Sequence, residues 1–72
     1  MKKFSIGNRQ GADLGIYEAE TEAAALDVMA RDAGYSDYRD ACSITLTSPT
    51  EAQLDAEVER CRAQMYVVEI KD

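Results

Sequence analysis

The chain has no histidine and no tryptophan, a single proline, one phenylalanine and two cysteines among its 72 residues. Without histidine, no side chain titrates near neutral pH unaided. General acid–base work would fall to shifted carboxylates or to Lys2, Lys3 and Lys71, which argues against an enzyme. Zinc is disfavoured as well. Cys42 and Cys61 are separated by 18 residues, there is no Cys-x-x-Cys, and two thiols supply half a site with no imidazole to complete it. Two unpaired thiols suit a cytoplasmic protein, with a single disulfide left open.

Long apolar runs are missing too. Nothing approaches the ~20 residues of a membrane span. Lys2-Lys3 leads into Phe-Ser-Ile-Gly and not into the apolar core of a secretory signal. Cations are scarce, 8 Lys and Arg against 14 Asp and Glu, for a net charge of −6. That balance argues against nucleic-acid phosphates and anionic membrane surfaces as partners. At this length one domain, 1–72, is expected. It buries only about 60% of its extended surface, so the stability margin is thin and self-association would help.

What is present specifies architecture. Lys3 to Gly7 alternates, with Phe4 and Ile6 on one side, and Leu14 to Glu20 alternates again, with Tyr17 and Ala19 on one face. Antiparallel pairing sets Phe4 opposite Tyr17 and Lys3 opposite Glu18, with Gly15 marking a bulge. Thr21 caps a helix over 22–33 whose stripe is Leu26, Met29, Ala30 and Ala33, and Gly34 closes it with Tyr35 folding back. Ser36 to Cys42 predicts a short helical turn capped by Ser36. Residues 43–47 read as a strand or an extended connector. Ser48, Pro49 and Glu51 predict a helix start with Ser48 as the cap, running to Gln64 with Leu54, Val58, Cys61 and Met65 on one face. That helix either joins the sheet face covered by the first one or covers the Ile16/Val67 side. Residues 66–70 predict a last strand with Tyr66, Val68 and Ile70 inward. The fold class is α+β: an antiparallel sheet of three strands, with a fourth left open, and two main helices in the order β-β-α-(short α)-(β?)-α-β.

Candidate chemistry is thin. Gly7, Gly11 and Gly15 lack the Gly-Lys-Ser/Thr of a phosphate loop. Asp13 is the best loop carboxylate, for a cation or an amine, although an Asp among glycines bonds its own backbone readily. Glu18 and Glu20 share a strand face that reads as solvated. Cys42 and Cys61 have no histidine to activate them and read as small buried hydrophobes. Tyr35 and Tyr38, beside Asp37 and Arg39, mix aromatics with arginine as contact surfaces do, and otherwise read as packing residues.

The pattern Gly11-x-Asp13-Leu14-Gly15-x-Tyr17-Glu18-Ala19-x-Thr21, continued by Ala25-Leu26-Asp27-x-Met29-Ala30-Arg31-Asp32-Ala33-Gly34-Tyr35, resembles a group of small bacterial single-domain proteins with no established activity. That resemblance implies a hairpin–helix–strand domain and nothing catalytic. More loosely, the strand–strand–Tyr-x-Ala-x-Thr–helix run is similar to the HicB-type antitoxin core. The expected function is a small acidic, non-enzymatic interaction or accessory module without cofactor or metal. It would be partnered by another protein through the Tyr35, Asp37, Tyr38 and Arg39 surface or a strand edge, or by itself as a homodimer. The alternatives are a small-molecule or cation-binding protein using the Asp13 loop, or an antitoxin-like regulator.

Overall fold

Phe4, Ile6 and Tyr17 alternate with polar residues at the period of a pleated strand, and two such runs joined by a Gly-rich loop form a hairpin. In the computed structural model, which describes residues 1–71, β1 spans Lys2–Asn8 and β2 spans Asp13–Ala19. Their register pairs Phe4 with Tyr17 and Lys3 with Glu18, as the alternation predicts. The register slips between Ile6 and Gly7, and Gly15 takes the bulge with φ +116°, a conformation open chiefly to glycine. Asn8 organises the loop, its Oδ1 accepting the amides of Gln10 (3.0 Å) and Ala12 (3.1 Å).

Helix α1 covers Glu22–Asp32, with the Thr21 hydroxyl accepting the Ala24 amide at 3.1 Å. Its end is a Schellman motif: the Gly34 amide donates to Arg31 and the Tyr35 amide to Ala30 at 2.9 Å, with Gly34 left-handed at φ +100°. Helix α2 is Tyr38–Cys42, and its cap is Asp37, not Ser36. The Asp37 carboxylate accepts the Asp40 amide at 2.7 Å, and an acidic cap there also faces the positive end of the helix dipole. The chain continues into a 3₁₀ turn over Ser43–Thr45, so 43–47 adds no strand.

Helix α3 covers Glu51–Ala63 and starts two residues later than the Ser-Pro signal implies. Thr50 is the cap. It forms a capping box with Gln53, whereas Ser48 turns left-handed at φ 47° ahead of it. Strand β3, Met65–Ile70, pairs antiparallel with β1, giving the order β2-β1-β3 among the described residues.

All three helices lie on one face of the sheet. The core is Phe4, Ile6, Ala19, Ala25, Leu26, Ala30, Tyr38 and Cys42, flanked by half-buried Met29, Val58, Cys61, Met65 and Val67. The expected facing of β3 is reversed. Met65, Val67 and Glu69 face the helices, and Tyr66, Val68 and Ile70 face away. The cause is a clamp at the end of α3. The Arg9 amide donates to Gln64 O at 2.8 Å and Arg9 Nε to Ala63 O at 2.6 Å, so Met65 enters the sheet opposite Asn8. One residue of offset fixes which alternate set turns inward. Helix α3 therefore lies on the same face as α1, linked to it through α2, and the Ile16 side stays uncovered.

Candidate functional site

Two features stand out, a side-chain cluster between the helices and the helix-free face of the sheet, and neither is the cluster that the sequence suggests. Tyr35, Asp37, Tyr38 and Arg39 do not form a contact surface. Tyr38 is 9% exposed and belongs to the core, and Tyr35 is half-buried against it. Asp37 is occupied as the cap of α2, and Arg39 pairs with Asp55 of α3. The Tyr38 amide is taken by Asp27 Oδ1 of α1 at 3.0 Å. These residues form the joint that fastens the three helices. Asp13 turns onto its own loop, accepting the Gly15 amide at 3.1 Å. Among the described residues, no three Cys, Asp or Glu side chains converge as metal ligands.

Below that joint lies a side-chain cluster. Tyr38, Cys42 and Cys61 pack together there, and Cys61 Sγ donates to Glu57 Oε1 at 3.6 Å. Glu57, the buried charged residue of α3, receives both oxygens' worth of Arg60 at 2.6 and 2.7 Å. The i, i+3, i+4 spacing of Glu57, Arg60 and Cys61 was readable in the sequence, and the approach of Cys42 was not. Burial pushes the Cys42 thiol up to about 12, and burial likewise raises the Tyr38 hydroxyl. The hydrogen bonds from Arg60 lower Glu57. All three shifts point away from neutral pH. The cluster borders an open groove of about 580 Å³ whose apolar floor includes Met29, Leu14 and Met65.

The second feature is the helix-free face of the sheet. Ile16 is 61% exposed, Val68 55%, Tyr66 42% and Ile70 39%. The pairings place Ile16, Ser5 and Val68 in one row and Glu18, Lys3 and Ile70 in the next. Tyr66 lies over Gly7, where an added Cβ would stand 2.3 Å from the phenol oxygen. An antiparallel sheet with one wet face ordinarily alternates apolar-in and polar-out. Here the outward set of β3 is wholly apolar, and Glu69 points inward to the rim, 3.9 Å from Lys2 Nζ.

No family model, curated protein or solved structure matches this chain.

Proposed function

We propose that this is a non-enzymatic protein-interaction module whose contact surface is the open sheet face, centred on Ile16 and Val68. The observation that carries the reading is the facing of β3. A monomer that met only water would gain by turning Tyr66, Val68 and Ile70 inward and Glu69 outward. Contiguous exposed apolar surface of this kind marks binding sites on folded domains. The absence of any shift toward neutral pH in the Tyr38–Cys42–Glu57 cluster supports a binding role over acid–base chemistry. The Asp13 loop is a weaker ligand site, because its carboxylate is satisfied by its own turn.

Capture from a lysate of the source cells with wild-type and Val68→Lys bait tests the reading. Val68→Lys would bury an unpaired ammonium at the centre of the contact, a cost of about 3 kcal/mol or more, so the variant should retain the specific partner at least about tenfold less well. Its far-UV circular dichroism should be unchanged, since Val68 supports no core contact. Equal retention by both baits would contradict the proposal.

A further inference from the structure

We infer that the open face is closed by a second copy of this chain, packed sheet against sheet about a two-fold axis crossing the Ile16–Ser5–Val68 row. This rests on the interaction reading and narrows it to one occupant.

The distribution of apolar residues argues for a copy. Four of the eight core residues are Ala19, Ala25, Ala30 and Cys42, whereas Ile16, Val68 and Ile70 stand outside. The chain places larger aliphatics on the open face than it places in much of its core. A two-fold mate would convert that face into a second core, which suits a domain too small to build a large one alone.

Charge permits the same partner at this face. The molecule carries −6, which opposes self-association in general. The open face is the exception, because its Lys3 and Glu18 stand directly opposite each other across β1 and β2 and cancel. A two-fold axis lying across the strands reverses their direction in the mate. Val68 then meets Val68 and Ile16 meets Ile16, while Tyr66 meets Ile70. In the same alignment Lys3 comes over the mate's Gly7 and Glu18 over the mate's Asp13, one like-charge approach at each end.

Area sets the strength. Three strands ~4.8 Å apart and six residues at ~3.4 Å each outline a face of about 14 × 20 Å. With side-chain relief, two such faces bury on the order of 1,000 Å², the lower limit for a specific interface. The dimer is therefore expected to be a weak one, forming with rising concentration.

Sedimentation equilibrium of the full chain from micromolar to near-millimolar concentration tests this. Wild type should rise from 8.0 kDa toward twice that mass. Val68→Asp should stay at the monomer mass with an unchanged circular dichroism spectrum. Ile16→Lys, on the opposite edge strand, should do the same. Asp13→Lys should tighten the dimer, by setting a cation over Glu18 of the mate. A wild type that stays monomeric throughout overturns the second copy; if the Val68-sensitive capture still succeeds with a different protein, the interaction reading stands. A dimer indifferent to both Val68→Asp and Ile16→Lys overturns the face. Failure of Asp13→Lys to tighten association overturns the axis.

Discussion

Tyr38 belongs to the core beside Cys42 and Cys61, and Cys61 donates to Glu57. Glu57 also accepts from Arg60, so its buried carboxylate is tolerated next to thiols and apolar carbons. The raised Cys42 thiol has a consequence for alkaline stability. Its folded-state value of about 12 lies above the ordinary 9.0, so the folded chain keeps a proton that the unfolded chain releases. The stabilisation is complete below pH 9 and is lost as pH climbs toward 12. Tyr38 has the same sign but acts only above its ordinary 10.0. Wild type should therefore lose melting temperature between pH 9 and 10 more steeply than Cys42→Ala. Parallel melting curves for the two would contradict that assignment. A thiol reagent at pH 8 should also modify half-buried Cys61 well before Cys42, which reacts only on unfolding.

At the scale of elements, the strongest signals were the ones that lie within a few residues of the structure they specify. Thr21, the Leu26–Met29–Ala30 stripe and Gly34 agree with one another, and α1 forms between them. The hairpin register was legible for the same reason, since Phe4–Tyr17 and Lys3–Glu18 satisfy both faces at once. The start of α3 was harder, because Ser48 and Thr50 flank Pro49 and either hydroxyl could cap. The Thr50–Gln53 pair decides it by satisfying two amides reciprocally, at 3.2 and 2.9 Å. Thr50→Ala should cost about 1 kcal/mol in chemical denaturation, whereas Ser48→Ala should cost little. Equal losses would move the cap back to Ser48. The facing of β3 was misleading, because Tyr66, Val68 and Ile70 form a wholly apolar alternate set while Glu69 interrupts the other. Its parity is set by Arg9, which reaches across 54 residues to Ala63. No local pattern in 65–70 encodes that contact.

At the scale of the molecule, helices on one side and an apolar open sheet on the other describe half of a sandwich. The cluster of Tyr35, Asp37, Tyr38 and Arg39, attractive in the sequence as a binding surface, is consumed in fastening α1, α2 and α3 together. The surface left for a partner is the one that alternation in β3 assigned to the core. The most direct test is the solvent accessibility of the valine and isoleucine methyl groups, measured by relaxation from a soluble nitroxide in dilute and concentrated samples. Val68, Ile16 and Ile70 should be strongly relaxed when dilute and protected when concentrated, with Val67 shielded in both. An accessible Val67 beside a shielded Val68 in the dilute sample would contradict the account.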